Sequence, residues 1–137
     1  MKSQSTRRRI LLVDDDRVVA TAIARELADH EVTVAHGGAE ALDVLTRTTA
    51  FDLVLCDLVM PEISGIEVHG FVKTQHPELL ERFVVMTGGA STPRARAFLS
   101  DEVTHVIEKP FTMGELRAIV EGMPVRSTSS GSVRSTT

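Results

Sequence analysis

The sequence predicts an α/β fold, a doubly wound parallel sheet with helices on both faces. Three observations predict it. Five short apolar runs alternate with five stretches whose apolar residues recur at helical spacing. The runs are apolar nearly throughout, as strands covered on both faces must be. Right-handed crossovers between successive parallel strands then leave a doubly wound sheet as the topology.

Arg9-Ile10-Leu11-Leu12-Val13 is too short for a helix and reads as a buried strand that stops at Asp14-Asp15-Asp16. A helix is expected from about Arg17 to Asp29, with Val19, Ile23 and Leu27 on one face. Glu31 to Ala35 is the second strand, and Gly37-Gly38 punctuates the turn after it. Ala39 to about Thr48 is helical, with Ala41, Leu42 and Leu45 inward. Phe51 to Cys56 is the third strand and stops at Asp57. Pro61 and Gly65 mark a loop, and a helix then runs to about Gln75 with Ile66 and Phe71 expected in the core. Phe83 to Met86 is the fourth strand, ending at Thr87-Gly88-Gly89. Pro93 suits the first turn of a helix carrying Phe98 and Leu99. Val103 to Ile107 is the fifth strand, ending at Glu108-Lys109-Pro110. The last helix spans about Thr112 to Gly122, and Thr112 and Glu115 have the spacing of a capping box.

The 137 residues fit one domain, with enough chain to bury a core without disulfides. Cys56 is the sole cysteine, so a reducing compartment is the natural reading. No apolar run approaches the ~20 residues that span a bilayer, and no signal-peptide core follows the basic start. The expected location is cytoplasmic, with no membrane partner. A net charge of −4 argues against nucleic acid as a direct partner. Arg7, Arg8 and Arg9 form a short basic run, read as a solvated lead-in to the first strand rather than a phosphate- or membrane-contacting arm. Residues 1–7 are thus a polar lead-in, 8–123 the domain, and 124–137 a Ser/Thr-rich tail expected to be disordered.

Polar residues at strand ends carry the functional argument. Asp14 and Asp15 follow the first strand, Asp57 the third, Thr87 the fourth and Lys109 the fifth. In an open parallel sheet, sites form at the carboxyl ends of strands, so these distant residues meet in one shallow cleft. Close carboxylates repel one another unless a cation is present, and oxygen ligands with room for water suit Mg²⁺. Asp57 can attack phosphorus to give an acyl phosphate. Lys109 and the Thr87 hydroxyl can meet the phosphoryl oxygens, because such transfer depends on positioning and electrostatics.

Leu-Leu-Val-Asp-Asp-Asp, Leu-Cys-Asp-Leu-Val-Met-Pro, Met-Thr-Gly-Gly and Lys-Pro-Phe, in that order, resemble the response-regulator receiver domain. The resemblance covers about Arg8 to Met123. It implies a flavodoxin-like (βα)5 fold with strand order 2-1-3-4-5. It implies Asp57 as phosphoacceptor, with Mg²⁺ bound by Asp15, Asp57 and the backbone carbonyl of Val59, and by Asp14 mainly through a water. Thr87 would turn toward the phosphoryl group, and Lys109 would pair with it across a cis Lys109-Pro110 bond. The phosphodonor would be a histidine kinase or a histidine phosphotransfer protein. The output partner would be a protein docking on the helix 4–strand 5–helix 5 face. Asp16 is read as a helix-start residue favoured by the dipole.

The sequence departs from the family pattern at Val106, where many receivers carry an aromatic switch residue; strand alternation should point His105 to the opposite face. Val59 and Gly89 offer no polar side chain to orient an attacking water, so slow self-dephosphorylation is expected. The Val106 position and Met-Thr-Gly-Gly look more like receivers of hybrid histidine kinases than stand-alone ones. Two other readings are kept. One is an aspartyl-nucleophile phosphatase using Asp14 and Asp16; the other is a scaffold that is not phosphorylated. The five histidines lack metal-ligand spacing and are expected at surface or loop positions. Cys56 is expected to be a small buried strand residue.

Overall fold

The computed structural model describes residues 6–89 and 92–126. Strand β1 (Arg9–Val13) leads to α1 (Arg17–Glu26), β2 (Glu31–Ala35) to α2 (Gly38–Arg47), and β3 (Leu53–Asp57) to α3 (Gly65–Gln75). A 3-10 helix (Pro77–Arg82) precedes β4 (Phe83–Thr87), followed by α4 (Pro93–Asp101), β5 (His105–Glu108) and α5 (Met113–Gly122). The five strands form one parallel sheet in the order β2-β1-β3-β4-β5. This is the doubly wound flavodoxin-like fold that the residue pattern implies.

Alternation along the strands divides the core in two. Leu11, Val13, Val54, Cys56, Phe83 and Val85 pack on one face with Ala41 and Leu45 of α2, Val68 and Val72 of α3 and Phe98 of α4. Ile10, Leu12, Leu53, Leu55, Val84 and Met86 pack on the other with Ala20 and Ile23 of α1 and Leu116 and Val120 of α5. The three inner strands are therefore apolar on both faces, and the edge strands β2 and β5 are only partly covered.

Caps set several helix boundaries. The Asp16 carboxylate accepts from the N–H groups of Val18 and Val19 at the start of α1, in the expected helix-start role. Thr112 and Glu115 make the expected capping box on α5. Lys109-Pro110 is cis.

The structure corrects several expectations. Helix α1 stops at Glu26 rather than Asp29, because Leu27 leaves helical geometry and the Arg117 guanidinium of α5 takes the Glu26 carbonyl and the Asp29 carboxylate. The buried face of α3 is Gly65, Val68, His69 and Val72, whereas Ile66 and Phe71 are only partly buried. The 3-10 turn after Pro77, which buries Leu79, has no counterpart in the residue reading. His69 lies inside α3, 4% exposed, with its ring edge-to-face against Phe83 and Phe98. His30 is in a loop but only 3% exposed. Within the basic run, Arg7 and Arg9 are exposed, but Arg8 is buried and donates to the carbonyls of Thr6, Glu121 and Met123. Of the expected tail, 127–137 lies outside the described residues; within 124–126, the Pro124 carbonyl accepts from Arg82 and the Arg126 N–H donates to Asp52. Among the described residues no helix is long and apolar enough to cross a membrane.

Candidate functional site at the carboxyl end of the sheet

The strand ends bring the chosen residues together. Asp14 directly follows β1, and its N–H still pairs with the Ala35 carbonyl of β2. That extra rung holds Asp14 at the rim with its side chain fully buried. Asp57 is the last residue of β3 and 8% exposed; Asp15 is exposed. Asp14, Asp15 and Asp57 each offer a carboxylate oxygen within 4.8 Å of the others. Lys109 Nζ reaches in from the far side of the cleft, 3.3 Å from Asp57 Oδ1 and 3.8 Å from Asp14 Oδ2.

The charges in this cluster are incompletely balanced. Asp14 Oδ1 accepts from the Asp16 N–H, but Oδ2 is buried and has no hydrogen-bond partner among the described residues. Burial pushes the Asp14 carboxyl up; the Asp16 N–H opposes this and the neighbouring Asp57 charge adds to it. Burial also pushes the Asp57 carboxyl up, against the pull of Lys109 and of the Val59 N–H, with Asp15 repulsion adding to the rise. One ammonium therefore faces three carboxylates around an orphaned buried oxygen. A hard divalent cation fits that donor set. The cluster is consistent with the Mg²⁺ site of receiver domains.

Thr87 ends β4, one register step beyond the residue that pairs with Asp57. It is 1% exposed, its carbonyl accepts from the Lys109 N–H, and its Oγ1 accepts from the Gly89 N–H. The hydroxyl proton remains available for an oxygen in the cleft. Position 59 contributes backbone rather than side chain here, since the Val59 side chain is 71% exposed. Cys56 is fully buried, and burial pushes its thiol far up, so it is an inert strand residue. Asp16 is committed to the α1 cap and does not serve as a second acid beside Asp14.

One contributor was not singled out from the residues for this role. The residue pattern marks Gly65 only as part of a loop. A Cβ there would lie 2.5 Å from the Asp57 carbonyl oxygen and 2.9 Å from Leu58 Cα. Its missing side chain lets the start of α3 close against the end of β3, where its N–H donates to the Leu58 carbonyl. The signal was present as a glycine eight residues after a strand-end aspartate, but only packing explains it.

Val106 is 36% exposed on β5 and lines a groove with Ile107, Lys109 and Ile119. His105 turns its Nε2 to the Glu81 carbonyl instead, as alternation requires.

Fold and cleft together define an α/β domain with an acidic site at the carboxyl ends of its strands. The chain belongs to the response regulator receiver domain family, whose pattern it matches over residues 10–121. It is 36% identical over 112 residues to the response regulator MprA of Mycobacterium avium, covering 80% of this chain and 48% of that protein. The chain thus spans about half the length of the curated relatives it matches. Its fold is similar to that of an adenylate cyclase from Rhodopirellula baltica, with TM-score 0.73 and 30% identity over 86% of this chain and 88% of that one. It is also similar to a CheY-like receiver domain protein from Methanospirillum hungatei, with TM-score 0.74 and 25% identity over 85% and 93% of the two chains. By family this is a signalling domain of two-component systems rather than an enzyme.

Proposed function

We propose that Asp57 is the phosphoacceptor of this receiver, taking a phosphoryl group from the phosphohistidine of a kinase or histidine phosphotransfer protein. The carrying observation is Asp57 at a strand end, 3.3 Å from Lys109 Nζ and beside Asp14 Oδ2, which accepts no hydrogen bond among the described residues. An Asp57 carboxylate oxygen attacks phosphorus, the P–N bond to the donor imidazole breaks, and the departing ring nitrogen takes up a proton. Asp15, Asp57 and the Val59 carbonyl would hold Mg²⁺, with Asp14 acting through a water. The ion supplies charge neutralisation for the phosphoryl oxygens. Lys109 leaves its contact with Asp57 to pair with a phosphoryl oxygen, and the Thr87 hydroxyl donates to another.

Phosphorylation then biases a two-state equilibrium by the contacts Thr87 and Lys109 make with the new group. Val106 cannot supply an aromatic rotation, so the readout runs through β5 and the adjoining helices in some other form, toward a protein partner on the α4-β5-α5 face. The domain is proposed to span 8–123 and to act in the cytoplasm, where unpaired Cys56 suits a reducing environment.

The test is intact-mass measurement with Mg²⁺ and acetyl phosphate. A gain of one phosphoryl mass, absent with EDTA and absent in Asp57→Asn, is expected. A gain that persists in Asp57→Asn would overturn the assignment. After removal of donor, slow loss of the added mass is expected, and Val59→Asn should speed it.

A further inference from the structure

The amino-terminal end of the sheet, opposite the acidic cleft, carries a second charged site. We infer that Arg7, Arg9 and Arg126 form a binding site for a small polyphosphorylated anion. A cleft of about 470 Å³ opens there, lined by these three arginines with Thr49, Ala50, Asp52 and Val125. It has the size for a di- or triphosphate group, with Ala50 and Val125 as an apolar wall for an organic portion.

The charge arrangement is the main argument. Among the described residues, Asp52 is the only acid lining the cleft, and it is 6% exposed. Both of its oxygens are taken by backbone N–H groups, Oδ2 by Arg9 at 2.7 Å and Oδ1 by Arg126 at 2.6 Å. Its carboxylate therefore accepts no guanidinium hydrogen bond among the described residues. The Arg126 guanidinium donates through Nη1 to the carbonyls of Thr49 and Phe51, which fix it but carry no formal charge. Among the described residues, the Arg9 guanidinium has only an exposed contact with Glu31 at 3.8 Å, a pairing of little strength in water. Arg7 is exposed.

Arg82 stands behind the cleft and donates to the carbonyls of Asp52 and Pro124. Burial and the nearby Arg126 charge push its guanidinium down, and the Asp52 and Glu81 charges oppose this, so Arg82 and Arg126 are close enough to repel. Among the described residues, Arg126 and Arg82 are held by neutral carbonyls and Arg9 has only its exposed Glu31 contact, so the arginines keep charge for an anion. Guanidinium forks suit phosphate oxygens, which they can meet two at a time. The position of Arg126 is set by the return of the chain under the sheet. That return is held by Arg8 on the Glu121 and Met123 carbonyls and by Arg82 on the Pro124 carbonyl.

A second cluster at this end fails the same scrutiny. Asp29, His30 and Glu121 have metal-ligand proximity, but Arg117 already bridges both carboxylates. His30 Nδ1 accepts from the Arg8 N–H, so in the neutral ring Nε2 carries the proton and cannot ligate.

The experiment is calorimetric titration of the whole chain with pyrophosphate, tripolyphosphate and ADP in EDTA, which keeps any metal-dependent phosphate binding at Asp57 out of the measurement. Saturable binding that weakens with added salt is expected. The double variant R7Q/R9Q and the single variant R126Q should each lose about tenfold or more in affinity, while R47Q on α2 should not. Tighter binding of ADP than of pyrophosphate would assign the organic portion to the Ala50–Val125 wall; equal binding would assign inorganic polyphosphate chemistry. No saturable binding at millimolar ligand would overturn the inference. So would binding unchanged in both variants, or binding lost equally in R47Q. Phosphorylation of Asp57 is read separately by mass, so failure here leaves that reading intact.

Discussion

Two buried aspartates at opposite ends of one sheet behave differently. Asp52, before β3, has each carboxylate oxygen bonded to a backbone N–H. Asp14, after β1, has one oxygen bonded and the other buried without a hydrogen-bond partner among the described residues. Asp52 joins the start of β1 to the returning chain, whereas Asp14 leaves a deficit at the rim of a cleft. Buried polar groups are normally satisfied, so an unsatisfied oxygen beside two further carboxylates sets this end apart and supports the proposed metal and phosphoryl site there. The same residue type is fully hydrogen-bonded at one end and left with an unsatisfied oxygen at the other.

The largest expected effect breaks the satisfied end. Asp52→Ala strands two N–H donors and should cost about 3 kcal/mol, roughly ten degrees in Tm. Urea denaturation in EDTA checks it, and a loss near zero would mean that Asp52 is not holding the chain return.

The opposite sign is expected at the deficient end. Asp14→Asn in EDTA near neutral pH should raise stability by about 1 kcal/mol, because burial and repulsion disfavour the charged form. Mg²⁺ should then reverse the ranking. At about a hundred times its Kd, a ligand that binds only the folded state adds about 2.7 kcal/mol. Wild type should show that gain in thermal melts, and Asp14→Asn should show less of it. Stabilisation of both proteins by equal amounts would remove Asp14 from the metal site.

The smallest expected effect concerns His69, between the two ends. Burial pushes its ring down, and the facing charges are Glu102, which opposes this, and Lys73, which adds to it. A histidine with a lowered folded value contributes stability that is present in full above the ordinary value near 6.5. That contribution is lost as pH falls through the folded value. Stability should therefore fall as pH drops below about 6.5, and His69→Leu should flatten that slope. Denaturation midpoints across this range in both proteins give the comparison, and parallel slopes would exclude His69 as the source.

Much of this was legible from residues alone. A strand buried on both faces reads as an unbroken apolar run, so the runs give β1 to the residue and β4 to within one, whereas β3 is Leu53–Asp57 rather than Phe51–Cys56. The acidic site was legible for a related reason. Asp14, Asp15, Asp57, Thr87 and Lys109 each end or follow a strand, and parallel strands collect their carboxyl ends on one edge. The face of α3 was misread because its apolar residues do not follow one clean stripe. Val68, His69 and Val72 turn inward while Ile66 and Phe71 sit at the margin.

What the sequence by itself determined was the order of the five strands and five α-helices and the set of residues at the strand ends, since both follow from local periodicity and from parallel winding. What only the tertiary structure decided was the partner of each buried polar group. Arg8 meets a carbonyl 115 residues along the chain, Arg117 closes α1 from 91 residues away, and Asp52 is satisfied from Arg126, 74 residues on. Hydrogen bonds act over about 3 Å in space whatever the separation in sequence. Local pattern can therefore say that an aspartate is buried at the end of a strand, but only the assembled fold says whether an oxygen is left over.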